Sequence, residues 1–409
     1  MRSSLLAIFL LLLILTASLT SFALEAKLSG SFFFQFPISA NSTKNTNVAS
    51  SSYSRYNKNL AFATNGEIRA NIVKTLESGA EFGAIIKLYS TAYQNYGSGS
   101  GSHIYYISDF GKIELGSNNT AMESMSINAD SIMGAARYDD LRYLIMLGSG
   151  KNYNILSSYY SNLSDYSLVY RGLFYSAGEN IRNITYYSPK FLGTQIGVSY
   201  APDSSNVGSY DIKNNDNSSA NIIRLSDGSL YYTGVKNILS LGLSHDIEFT
   251  EDSALKFAVG LERGATSATK IYDVSDRLMK FKNYNIYNAG LVYTYGNYGF
   301  AASFADAGKS FASIDLSNQF KKIQNKLYTF GVSYQQGPIA FSITYLKNQK
   351  FNGMLDAVTF GARYKVFRGL LVCIEATPYK YKLTQVTNSN KEYYSYGGTS
   401  FIAGLKMFF

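Results

Sequence analysis

Along most of the chain, apolar positions alternate with small or polar ones at a period of two, the pattern of strands whose two faces meet different surroundings. Leu255, Phe257, Val259 and Leu261 alternate with Lys256, Ala258, Gly260 and Glu262. Tyr328, Phe330, Val332 and Tyr334 alternate with Thr329, Gly331 and Ser333, and Ile339, Phe341, Ile343 and Tyr345 enclose Ala340, Ser342 and Thr344. This periodicity predicts strands near 27–36, 66–75, 80–89, 104–109, 111–116, 182–188, 194–201 and 237–249. Eight more follow near 254–263, 284–295, 299–305, 326–334, 339–346, 356–365, 369–378 and 400–409.

Connections between these strands alternate strictly in length. The long ones are 37–58, 90–103, 117–181, 202–236, 264–283, 306–325, 347–355 and 379–399. The short ones fall at Leu76–Gly79, Phe110, Pro189–Gly193, Thr250–Ser253, Gly296–Tyr298, Gln335–Pro338 and Val366–Arg368. The count gives sixteen antiparallel strands, or eighteen if 153–175 holds a further hairpin. A water-soluble sandwich also alternates between its faces but has no reason to sort its loops by length. Tight turns at one end and long loops at the other are the habit of an outer-membrane barrel. In lipid every backbone N–H and C=O must be paired within the protein, which only a closed barrel achieves with strands. The fold expected is therefore all-β, a 16-stranded antiparallel transmembrane barrel with apolar side chains toward lipid. Such a barrel is too wide for side chains to fill and leaves an aqueous channel.

Composition agrees with this reading. Charged residues make up 16% of the chain, well below the roughly 25% of a soluble domain. There are 36 Tyr and no Trp, so Tyr and Phe are left to form the interfacial girdles where an apolar ring carries a polar tip. After the N-terminus no stretch offers 18 consecutive apolar residues, which excludes helical membrane spans. At the N-terminus, Met1 to Ser4 carries the single charge of Arg2, Leu5 to Leu15 is unbroken apolar sequence, and Ser21-Phe22-Ala23 supplies small residues at the −3 and −1 positions. That is the layout of a secretory signal peptide over 1–23, followed by the barrel over 24–409. The apolar run is shorter than the roughly 20 residues a spanning helix needs.

Catalytic and metal chemistry finds no support. His103 and His245 lack His or Cys partners at ligand spacing. The single cysteine, Cys373, excludes a disulfide framework and reads as a packing residue within a strand. No G-x-S-x-G occurs, and Gly148-Ser149-Gly150-Lys151-Asn152 lacks the flanking residues of a phosphate loop. The Gly97–Ser102 repeat of Gly and Ser is a loop. The formal charge is +9, but Lys and Arg are dispersed rather than gathered into a patch, which argues against nucleic acid as a partner. No cofactor is implied.

The motifs carry a family likeness. Lys27-Leu28-Ser29-Gly30 opens the first strand, and Phe110-Gly111-Lys112-Ile113-Glu114-Leu115-Gly116 is similar to an "FG-x-(I/V)-x-LG" strand. Tyr186-Tyr187-Ser188-Pro189-Lys190-Phe191, with Gly193, Gly197 and Tyr200, matches a "YYSPKF-x-G-x-x-x-G-x-x-Y" hairpin. Phe401, Leu405, Met407 and the terminal Phe409 stand in step at the C-terminus. In order and spacing these resemble the general porins of the Gram-negative outer membrane, over the whole mature chain. The resemblance implies a homotrimer in outer-membrane lipid and a C-terminal signal, Phe401, Leu405, Met407 and Phe409, read by the barrel-assembly machinery. It also implies a third loop, here 117–181, folded into the lumen. Its acids Glu123, Asp130, Asp139 and Asp140 would face basic wall residues across a constriction, although Arg137 and Arg142 make the loop less purely acidic.

By the strand register the inward charges are Lys27, Glu67, Arg69, Glu81, Lys87, Lys112, Glu114, Lys256, Glu262, Arg363 and Glu375. Arg69, Lys87 and Arg363 are the candidates for the basic wall. The function implied is passive diffusion of small hydrophilic solutes and ions, without catalysis. Two rival readings keep the same barrel: a substrate-selective porin, and a surface adhesin or antigen using the long loops. An outer-membrane phospholipase would need a Ser/His pair, and neither His lies in a nucleophile context.

Overall fold

In the computed structural model the last strand closes on the first, with Ser31 opposite Phe408 and the antiparallel ladder running on to Thr43 opposite Tyr396. The structure describes residues 25–43, 62–91, 101–132, 181–204, 222–224, 230–272, 282–310, 324–351, 353–387 and 390–409. The segment 1–23 expected to be a signal, the hairpin considered within 153–175, and Arg137, Asp139, Asp140 and Arg142 lie outside these residues.

The strands are β1 (Glu25–Thr43), β2 (Ala63–Thr75), β3 (Glu81–Thr91), β4 (Ser102–Ser108), β5 (Gly111–Asn118), β6 (Ile181–Tyr187), β7 (Thr194–Asp203) and β8 (Ile222–Arg224). They continue as β9 (Leu230–Thr250), β10 (Ser253–Tyr272), β11 (Tyr284–Tyr295), β12 (Tyr298–Asp306), β13 (Gln324–Gln336), β14 (Ile339–Phe351), β15 (Gly353–Phe367), β16 (Leu370–Thr387) and β17 (Asn390–Phe408). The three-residue β8 pairs only with the far end of β9, while β7 pairs directly with β9. Sixteen strands therefore form the closed antiparallel ring. Between β5 and β6 a short helix α1 (Ala121–Met125) and a 3-10 turn (Ala129–Ile132) lie against the inner wall.

All sixteen expected strands are present, and several run further at the long-loop end. The nine residues 347–355, read as a long connection, are mostly strand, with Lys350 opposite Gly353. The β16–β17 ladder likewise continues to Thr387 opposite Asn390. Beyond the apolar band both faces of a strand meet water. Lys347-Asn348-Gln349 then shows no alternation, although backbone pairing continues unchanged.

The faces follow the expected register. Phe330, Phe341 and Ile343 expose 53%, 53% and 54% of their surface on the outside, while Gly331, Ser342 and Thr344 between them are buried within the barrel. On β17, Phe401, Leu405 and Met407 point out and Ile402 and Gly404 point in. An outward row of large apolar groups stabilises the protein only if hydrocarbon replaces water around it. At the seam Phe409 continues the ladder, its N–H donating to the Gly30 carbonyl at 3.2 Å and its carbonyl accepting from the Gly30 N–H at 2.9 Å. A Cβ on Gly30 would lie 2.5 Å from the Phe409 ring, so the terminal aromatic covers a bare patch of backbone on β1.

The hairpin motif Tyr186–Gly193 owes its glycine to a tight turn between β6 and β7. Gly193 has φ of 80° and approaches β9 so closely that a Cβ would sit 2.2 Å from the Asp246 carbonyl oxygen. Lys190 in the same turn pairs with the Asp246 carboxylate at 2.7 Å, tying this turn to β9.

Candidate pore constriction

Where the loop leaves β5 it turns into the barrel, and its backbone donors find partners on the wall. The first N–H groups of any helix have no partner within it. Thr120, at the N-cap of α1, does not bond them with its side chain. Its hydroxyl donates instead to Oε2 of Glu262 on β10 at 2.6 Å. The orphan donors go to wall hydroxyls: Ala121 N–H to Ser199 Oγ on β7 at 2.6 Å, and Met122 N–H to Ser240 Oγ on β9 at 2.9 Å. Further along, Ala129 N–H donates to Thr329 Oγ1 on β13 at 3.2 Å. Apolar contacts complete the seat. Met122 enters a cluster of Ile181, Ile238, Tyr284 and Ile286, and Met125 packs with Tyr187.

Inward glycines bring the loop this close. A Cβ on Gly197 or Gly242 would fall 2.7 or 2.8 Å from Met125 Sδ, and one on Gly260 would fall 2.3 Å from Met122 Cγ. On Gly290 it would lie 2.1 Å from the Ile127 carbonyl oxygen. Gly331 offers no open space either, because its Cβ would meet Ala129, Ile132 and Thr344. Gly331 faces inward as its alternation predicts, and the segment lying on it leaves no room for a larger side chain.

The loop segment thus touches β6 and β7, then β9 and β10 through α1, and β11 to β13 through the 3-10 turn. Counting round the ring, β2 stands eight strands from β11, and β3 eight from β12, so β2 and β3 face the 3-10 turn across the lumen. That facing wall is charged. Arg69 and Lys87 are direct cross-strand partners. Arg69 donates from both Nε and Nη2 to Glu67 Oε1, at 3.1 and 2.7 Å. On β5, Lys112 Nζ meets Glu114 Oε1 at 2.5 Å, and Glu114 Oε2 accepts from the Asn118 amide at the loop root. His103 Nε2 lies 3.9 Å from the same carboxylate. Lys87 makes no ion pair among the described residues.

The candidate residues separate as follows. Arg69 and Lys87 come together on the facing wall. Glu123 sits half-buried on α1, and Asp130 belongs to the 3-10 turn that faces that wall. Arg363 does not join them: it lies four strands round from β2, near the short-turn end of β15, where it donates to Gln335 Oε1 at 2.8 Å. Asp139 and Asp140 fall outside the described residues. Sequence reasoning counted Glu262 only as one more inward charge and gave no role to the wall serines. It did not anticipate the inward-facing Ile181, Ile238, Tyr284 and Ile286 either. Nothing local marks them, since their burial depends on Met122, which lies 59 residues from Ile181 and 164 from Ile286 along the chain.

Comparison with known proteins bears on this architecture. A family model described as Gram-negative porin matches residues 10–384. An uncharacterized protein of Rickettsia conorii is 30% identical over 361 residues, covering 80% of this chain and 80% of its own. One of Rickettsia bellii is 29% identical over 394 residues, covering 88% and 86%. Two engineered variants of Rh. blastica porin superpose with TM-scores of 0.53 and 0.52 at 12% identity, over 94% of this chain and 100% of theirs. At that identity they speak for the fold alone. A family match running through nearly the whole chain, on a closed barrel of sixteen strands, settles the class: the chain belongs to the Gram-negative porin family and is an outer-membrane diffusion channel.

Proposed function

We propose that the protein is a passive channel for small hydrophilic solutes and ions, narrowed by the segment 119–132 on one side and the β2–β5 wall on the other. The observation that carries this reading is the division of the inner surface. One half is bonded to the loop through Ser199, Ser240, Glu262 and Thr329, and the facing half carries Glu67, Arg69, Lys87 and Lys112, with Glu114 buried beside Lys112. Charges facing each other across a narrow aqueous gap order water and disfavour bulky apolar solutes, while letting hydrated ones through. Among these five groups three bases stand against two acids, which favours a slight preference for anions. Asp139 and Asp140 are proposed to stand with Glu123 and Asp130 on the acidic side, and Arg363 to act at the short-turn mouth instead of the narrowest section.

Export by the 1–23 signal, assembly as a homotrimer and recognition of Phe409 by the barrel-assembly machinery complete the proposal. The ladder and ring contact that Phe409 makes with Gly30 support a part for that residue in barrel closure, beside the recognition proposed for it. Purified protein in a planar bilayer should give stepwise openings, whereas silence would favour an adhesin. Deleting Phe409 should sharply reduce folded, heat-modifiable protein in the outer membrane, and an unchanged yield would refute the assembly role.

A further inference from the structure

Glu262 lies on the inner face of β10 with none of its surface exposed. A fully buried acidic side chain needs its oxygens satisfied, and here two partners come from different parts of the molecule. Thr120 Oγ1, at the root of the inward segment, donates to Oε2 at 2.6 Å, and Tyr284 OH on β11 donates to Oε1 at 2.8 Å. Beside it Gly260 leaves room for Met122, and Tyr284 and Ile286 line the cluster that Met122 enters. Immediately after Thr120, the first two amides of α1 are held by Ser199 and Ser240. Thr120 is therefore the point where the chain passes from the barrel wall into the lumen, and Glu262 holds it there.

We propose that Glu262 is the positioning residue of the constriction: it fixes the loop root against β10, and so sets the pore's width and steadiness without touching the permeating solute. The inference rests on the diffusion-channel reading above. A group of this kind leaves a signature different from that of a residue needed only for barrel stability. Sixteen paired strands hold the barrel whether or not Thr120 is bonded, so loosening the root changes the current through a folded channel.

The test is single-channel recording on heat-modifiable, folded protein. Wild type should give long, quiet openings; if it gives none, the channel reading fails, and this inference fails with it. In Glu262→Ala the loss of two hydrogen bonds to a buried acceptor should raise the population of displaced segment about tenfold. It would be read as flickering and as closure at lower applied voltage. Thr120→Val removes only the link to the loop and leaves the carboxylate bonded to Tyr284, so it should flicker in the same way; it decides the matter if Glu262→Ala does not fold. Glu262→Gln, which keeps an oxygen acceptor and a polar partner for each hydroxyl, should restore quiet openings. Wild-type openings accompanied by unchanged conductance and noise in a folded Thr120→Val channel would overturn the proposal while leaving the channel reading intact.

Discussion

The wall of β2 to β5 and the wall of β6 to β13 are built on the same rule and face the same lumen, yet their inward residues differ in kind. Away from the loop the wall carries Glu67, Arg69, Lys87, Lys112 and Glu114, with two of the three bases already held by an acid. Where it meets the loop it carries Gly197, Gly242, Gly260, Gly290 and Gly331, with Ser199, Ser240 and Thr329 between them. A small inward residue in a barrel of this size is usually taken as open lumen. In this protein the glycines mark the reverse, a place where a second layer of chain lies so close that a methyl group has no room. Small residues on one arc of the ring are thus the imprint of the loop on the wall.

The largest effect that would break this contrast is expected at Gly290. A valine there would drive Cβ toward a backbone carbonyl rather than a movable side chain, and interiors of native density cannot absorb such an overlap locally. We expect Gly290→Val either to displace the 3-10 turn, with a changed conductance step, or to lower the folded yield. Asn71→Ala on the charged wall, which removes only a hydrogen bond from Tyr105 OH at 3.1 Å, should leave both unchanged. Equal behaviour of the two variants would show that the segment is not seated on β11.

A second comparison tests the two faces of one hairpin, β13 and β14. Val332 points to lipid, where a lysine at mid-membrane depth costs roughly 2–4 kcal/mol. Ser342 on the neighbouring strand points inward and is its diagonal neighbour in the ladder, with Ser333 opposite Ser342 and Val332 opposite Ile343. Lys in place of Val332 should lower the urea midpoint of the folded barrel more than Lys in place of Ser342. The reverse order would mean a register wrong by one residue, since a one-residue slip exchanges the faces.

The fold was almost wholly legible because its cause is local. Lipid on one side and water or small side chains on the other impose a period of two, and each strand carries that pattern in its own residues. The ladder's extent was less legible: nothing in Lys347-Asn348-Gln349 distinguishes a strand beyond the membrane from a loop. In the candidate site, Arg69 and Lys87 could be placed because they sit at inward positions of well-marked strands. Arg363 could not be kept with them, because its height along the barrel depends on the stagger between strands and not on its own face. Glu262 was visible as an inward charge, but its partner Thr120 is 142 residues away, and no pattern within β10 points to it.

The smallest effect expected concerns ion preference, and it sharpens the contrast most directly. Screening limits the influence of each exposed charge to about 8 Å in physiological salt, so a charge far from the narrow section contributes little. Arg69 is neutralised in part by Glu67 at 2.7 Å, whereas Lys87 has no such partner among the described residues. Replacing both with Gln should shift the reversal potential under a salt gradient toward cations, with Lys87→Gln alone giving most of the shift. The same exchange at Arg363, near the short-turn mouth, should move it less. A wild-type channel strongly selective for cations would sink the anion preference proposed for this pore. If Arg363→Gln shifted the potential more than Lys87→Gln, the narrowest section would lie at the short-turn mouth, and the charged wall of β2 to β5 would only line a wider part of the channel.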